Sequence, residues 1–154
     1  MKKILLIFLL FGTLIFGETL VGKVIKVYDG DTITMLVDGE KEKIRFYGID
    51  SPEKNQSYGI ESRDFVRSKI MDKKVKVKVV NTDRYGRKIG KIYYDNNRYL
   101  NLECVRTGNA WWYEYYASNE EDLKSAQEQA IRSRKGLWRE KNPMNPYEWR
   151  KKKK

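Results

Sequence analysis

The run LVGKVIKVYDGDTITMLVDGEKEKIRFYGID, residues 20–50, decides the fold. Leu20 to Val27 is a β-rich stretch that ends at the turn Tyr28-Asp29-Gly30. Thr32 to Val37 follows and stops at Asp38-Gly39, a dipeptide that favours a tight hairpin. Lys41 to Ile49 makes a third strand. Side chains alternate along a strand, so Ile44 and Phe46 share one face and Arg45 and Tyr47 the other.

The same reasoning extends downstream. Lys74-Val-Lys-Val-Lys-Val79 alternates between a wet basic face and an apolar one, the period of a half-buried strand. Lys88 to Asp95 is the fifth strand, entered through Tyr85-Gly86 and left through Asn96-Asn97. Between strands three and four, Tyr58 to Met71 spaces Phe65, Val66 and Ile70 as a helix does. Asn101 to Thr107 is a short helix stopped by Gly108, and Cys104 within it reads as a small buried hydrophobe. Ser118-Asn119-Glu120-Glu121 has the form of a capping box opening a helix through Arg134, with Leu123, Ala126, Ala130 and Ile131 facing inward. The order predicts an α+β, mainly β, chain: a five-stranded OB-type barrel with about three helices. One domain spans 18–142, and 143–154 is expected to be an irregular basic tail with a solvated, flexible Arg150-Lys-Lys-Lys-Lys154 end.

The segment before the barrel reads as targeting sequence. Met1-Lys2-Lys3 is positive, Ile4 to Phe16 is almost wholly apolar, and Gly17-Glu18 turns polar. That is the pattern of a signal peptide over residues 1–17, with an uncleaved N-terminal anchor as the alternative. Secretion or retention in the cell envelope is therefore expected, with a membrane involved only through the leader. The whole chain carries 32 Lys and Arg against 21 Asp and Glu, a net +11. Such a balance suits a polyanionic partner, a self-repelling soluble protein being the plain alternative. The absence of histidine excludes Ser-His-Asp chemistry and His-ligated zinc or iron. A single cysteine excludes an internal disulfide and Cys-rich metal sites. A catalytic metal would have oxygen ligands, which favours calcium or magnesium.

Four short pieces carry the chemistry: Asp29-Gly30-Asp31-Thr32, Arg45, Asp50-Ser51-Pro52-Glu53 and Asp83-Arg84-Tyr85-Gly86-Arg87. Carboxylates for a hard cation alternate along the chain with arginines for a phosphate, the mixture that metal-assisted phosphodiester cleavage requires. Taken singly, each piece is also an ordinary turn or loop. Arg45 is the exception, since a charge placed mid-strand between Ile44 and Phe46 needs a partner.

In this order the set resembles the active site of the staphylococcal nuclease (thermonuclease) family, over about Val21 to Trp138. The resemblance implies that Asp31, Asp50 and the Ser51 main chain hold one Ca2+, that Glu53 acts as general base, and that Arg45 and Arg87 bind the scissile phosphate. Asp29 belongs to the turn that positions Asp31. It further implies DNA and RNA as substrates and 3′-phosphate products. Arg84, Tyr85, Tyr113 and Tyr116 fall where the family contacts nucleic acid, with Tyr115 in the same cluster. Trp111 and Trp112 read better as core than as stacking platforms. The loop Lys54 to Ser57 is short beside the family's best-known pattern. A monomer with no protein partner is expected. Two other classes stay open, a non-catalytic nucleic-acid-binding OB module and a surface-attached interaction protein. The intact acidic and arginine set argues for the enzyme.

Overall fold

The computed structural model describes residues 17–152; the leader reading of residues 1–17 therefore lies, except for Gly17, outside the described residues. The first three strands are β1 (Thr19–Val27), β2 (Thr32–Val37) and β3 (Glu40–Phe46). The short β4 (Ile49–Asp50) precedes helix α1 (Gly59–Ile70), which is followed by β5 (Lys74–Thr82) and β6 (Lys88–Tyr94). β1 pairs antiparallel with β2 and β5, β2 with β3, and β5 with β6. A parallel pairing of Ile44–Phe46 with Lys88–Gly90 joins β3 to β6 and closes the barrel. The result is a five-stranded OB-type α+β fold.

The remaining elements form a cap. Arg98–Tyr99 (β7) leads into α2 (Leu100–Arg106). Trp111–Trp112 (β8), α3 (Glu114–Ala117), α4 (Glu121–Arg132), a 3-10 turn at Gly136–Arg139 and α5 (Pro146–Lys152) follow. Five helices are present among the described residues where about three were expected, the additions being the four-residue α3 and the seven-residue α5. None of the described helices is long and apolar enough to cross a membrane.

The alternation on which the strands were read holds at the core. Val24, Ile33, Met35, Ile44, Phe46, Val75, Val77 and Ile92 are all buried inside the barrel. Cys104 is buried with them, with Leu100 and Val105. Trp112 packs on this core, and Trp111 on a second cluster of Ala130, Leu137 and Trp138, with its ring edge-on to Trp138 at 4.4 Å. Both tryptophans are therefore packing residues.

Four local expectations need correction. β3 ends at Phe46, because Gly48 takes a positive φ of 74° and swings the chain out of the sheet. Ile49 and Asp50 then pair with Trp112 and Trp111 instead. β5 runs past Val79 to Thr82; its register jumps between Val79 and Asn81, and this irregularity at Val80 is what ends the Lys-Val alternation. The capping box at Ser118 does not form. Ser118 already has helical dihedrals at the end of α3, whereas an N-cap needs an extended backbone, so α4 starts at Glu121 with no side-chain cap. Ile131 is exposed, because Leu123, Ala126 and Ala130 define the buried face and the next residue turns off it.

One buried polar side chain ties the cap to the barrel. Asn101, fully buried, accepts the Ile92 N–H at 3.0 Å and donates to the carbonyls of Tyr47 at 2.9 Å and Gly90 at 3.2 Å. Those carbonyls lie where β3 leaves β6, just ahead of Asp50. Replacing Asn101 with Ala would take one hydrogen bond from each of three backbone groups, of which the Gly90 carbonyl keeps the Tyr47 N–H at 2.8 Å. Asn101→Ala is expected to cost about 2–4 kcal/mol, read as a lower urea midpoint at unchanged slope.

Candidate active site

The open end of the barrel carries a cleft of about 970 Å³. Nine of the ten expected site residues line it: Asp31, Arg45, Asp50, Glu53, Arg84, Tyr85, Arg87, Tyr113 and Tyr116. The tenth, Ser51, is buried behind it, and Tyr115 points away, 82% exposed.

Each side chain is set by its element. Asp31 closes the β1–β2 turn, where the Asp29 side chain accepts its N–H at 3.0 Å, the turn role expected for Asp29. The Asp31 carbonyl accepts the Phe46 N–H at 2.8 Å, which places Arg45 of β3 beside it. Gly30 permits a close approach: a Cβ there would lie 2.7 Å from the Ser51 Cβ. Asp50 is held by the β4–β8 pairing and by Tyr113 N–H to Gly48 carbonyl, 2.9 Å.

These contacts bring charges together with little water. Asp31 and Asp50 are 4% and 2% exposed. Arg45 lies between them, one Nη paired with Asp31 and the other 2.9 Å from Asp50 Oδ1. Asp31 Oδ2 also accepts the Ser51 N–H at 2.7 Å, and Oδ1 the Thr32 hydroxyl at 3.0 Å. Burial would raise the Asp31 carboxyl, but the Arg45 charge and the Ser51 N–H outweigh it and hold it below its ordinary value. Burial, with the negative Asp31 nearby, keeps Asp50 above its ordinary value despite its arginine partners. The same two causes push the Asp29 carboxyl well above its ordinary value. Arg45 is raised, since its carboxylate partners outweigh its burial.

The β5–β6 turn forms the facing wall. Asp83 accepts the N–H groups of Tyr85 at 2.9 Å and Arg87 at 3.0 Å through Oδ1, and Arg87 Nε at 2.7 Å through Oδ2. Arg87 is thus oriented through Nε, the side of the guanidinium away from a two-oxygen bond through its outer nitrogens. Arg84 Nη2 donates to the Tyr85 hydroxyl at 2.7 Å, and the Tyr85 ring is 70% exposed at the cleft. Tyr116 stands edge-on to Tyr113 and to Tyr115, with centroids at 5.0 and 4.8 Å.

Sequence reasoning missed two participants. Asp83 was quoted but given no role, although an acid four residues before an arginine across a tight turn is a readable orienting pair. The other is Arg150, expected in a solvated tail. Its Nη2 lies 2.9 Å from Asp50 Oδ2, and its Nη1 lies 2.9 Å from Glu53 Oε1 and 3.1 Å from Asp50 Oδ1. The sequence signal was there: Tyr147 and Trp149 make the tail partly aromatic, which a purely solvated end does not need.

No group of three or more His, Cys, Asp or Glu side chains is gathered as a metal cage among the described residues. The donor set nevertheless fits a hard cation. Two buried carboxylates, Asp31 and Asp50, line the cleft and offer oxygen, the donor type a hard cation takes.

The sequence profile of the staphylococcal nuclease homologue family matches residues 43–140. An Escherichia coli O157:H7 protein called an uncharacterized endonuclease is 36% identical over 149 residues, 97% of each chain. A Haemophilus influenzae protein of the same description is 38% identical over 86% of this chain and 74% of its own. A Shigella flexneri micrococcal nuclease is 33% identical over 84% of this chain and 79% of its own. The family match includes Arg45, Asp50, Glu53 and Arg87; Asp31 precedes it and Arg150 follows it. The chain belongs to the staphylococcal nuclease homologue family and is a nuclease, a hydrolase acting on nucleic acid.

Proposed function

We propose that this chain is a calcium-dependent nuclease that hydrolyses DNA and RNA, leaves 3′-phosphate and 5′-hydroxyl ends, and acts outside the cytoplasm as a monomer. The observation that carries the reading is one cleft lined by two buried carboxylates, a third carboxylate on a short loop, and two arginines, one from β3 and one from the β5–β6 turn. Extracytoplasmic action rests on the leader pattern of Met1 to Gly17.

Asp31, Asp50 and the Ser51 carbonyl would hold the cation, with water completing its about 6–8 oxygens. When bound, calcium supplies positive charge that draws electron density from the phosphate and its attacking water. Arg45 and Arg87 hold the non-bridging oxygens, their planar forks matched to oxygen pairs, and stabilise the charge that grows in the five-coordinate transition state. Glu53 takes the proton of the attacking water as its oxygen bonds to phosphorus. The bond to the 5′-oxygen breaks as that oxygen takes a proton from solvent water and leaves as a hydroxyl, and Glu53 returns the proton it accepted to solvent. Tyr85, Tyr113 and Tyr116 offer faces on which bases stack without sequence readout, suited to frayed or single-stranded nucleic acid.

Four outcomes are expected. Chelation abolishes cleavage of plasmid and RNA by the purified mature chain, calcium restores it, and magnesium restores little because it releases its waters reluctantly; full activity in chelator would remove the cation from the mechanism. Glu53→Gln lowers turnover by roughly 10²–10⁴ with DNA binding largely kept, whereas a non-catalytic module would show no turnover to lose. Arg87→Ala costs at least as much as Glu53→Gln, mostly in kcat. DNA affinity falls steeply with salt, and Arg84→Ala weakens it about equally for every sequence; a salt-insensitive preference for one sequence in a filter-binding assay would contradict backbone recognition.

A further inference from the structure

The C-terminal segment grips the Glu53 loop at two points. At the first, Gln56, nearly buried, accepts the Glu53 N–H at 3.1 Å through Oε1 and donates to the Met144 carbonyl at 2.6 Å through Nε2. One side chain thus ties the backbone of Glu53 to the chain just before α5. The second grip is Arg150. α5 is well started for its length: the Asn145 side chain accepts the Tyr147 N–H at 2.9 Å, and Pro146 is buried at the first helical position. One turn on, Arg150 reaches back across the cleft and spans Asp50 and Glu53 with both arms of its fork. Gln56 and Ser57 of this loop and Met144 and Trp149 of the tail line one small pocket on this flank.

The contact has a clear chemical sense. Glu53 is a flexible side chain, and its ion pair among the described residues is with Arg150. A general base acts only from a fixed place relative to its water. Arg150 also engages both oxygens of Asp50, the atoms a cation would use. Like charges cannot share those oxygens without cost. We propose that α5 is part of the active site, with Arg150 as a positioning residue that fixes the Glu53 carboxylate and competes with the cation for Asp50. The proposal rests on the reading of Glu53 as base and Asp50 as cation ligand.

These two roles push two measurable quantities in opposite directions, which a merely structural role does not do. The test uses the mature full-length chain, Arg150→Gln, Glu53→Gln and the double variant. Cleavage kinetics are measured on DNA, and calcium is titrated by calorimetry without DNA. Arg150→Gln is expected to lower kcat about 10- to 100-fold with KM little changed. It should tighten calcium binding by about tenfold or more, through loss of a positive charge beside Asp50. In the Glu53→Gln background, removing Arg150 should cost no further turnover, because its effect passes through Glu53. Arg150→Lys, which keeps the charge but not the two-armed fork, should show a smaller kcat deficit, and covers the case in which Arg150→Gln fails to fold. An impaired Glu53→Gln with wild-type kcat in the Arg150 variants overturns the inference alone, as do additive losses in the double variant or weakened calcium binding. A wild-type rate for Glu53→Gln overturns the base reading and the positioning role together.

Discussion

The pairing of Arg45 with Asp31 and Asp50 is the constraint on which the rest of this molecule depends. Three charged side chains are taken from water at the mouth of a β-barrel, and each must find opposite charge or hydrogen bonds. Removing one partner strands the others, so the backbone must deliver all three from separate elements. Much of the fold serves that requirement. The β1–β2 turn fixes Asp31, the Phe46 N–H to the Asp31 carbonyl sets the register of Arg45, and the break at Gly48 lets the chain leave the barrel so that Asp50 faces back into the cleft. The short β4–β8 pairing and Asn101 hold that break in place.

Electrostatically, the site is arranged as alternating layers. Asp31 and Asp50 flank Arg45; Arg150 links Asp50 to Glu53; across the cleft Asp83 holds Arg87. No described cation of this set lies far from a carboxylate, which keeps the arginines ordered before a phosphate arrives. The orientation of these guanidinium groups is set by the fold itself, so little would be spent on ordering them when an anion binds.

Most of the barrel was legible because each strand announces itself locally: alternation in Lys74 to Val79, the Asp38-Gly39 turn, and the apolar face of Ile44 and Phe46. Most of the candidate site was legible for a similar reason, since its acids and arginines sit in four short pieces at strand ends. What escaped is non-local. Arg150 meets residues about a hundred positions earlier, and nothing in a lysine-rich run says which cation will be chosen. Asn101 looked like an ordinary helix start, and its value lies in three backbone groups from β6 and the chain after β3. The missed start of α4 had another cause. The Ser118 side chain suited a cap, but its backbone was already committed to α3.

The parallel pairing of β3 with β6 has a consequence in time. β1, β2 and β3 are neighbours in sequence and their hairpins close cheaply, whereas Ile44 meets Lys88 only after the intervening helix and strand have been gathered in. Arg45 lies on one strand of that pairing, and Arg87 immediately precedes the other. A half-folded chain with its early hairpins in place therefore still lacks the cleft that these two arginines line. The cleft is thus completed only with barrel closure, a non-local pairing that is expected to form later than the hairpins before it.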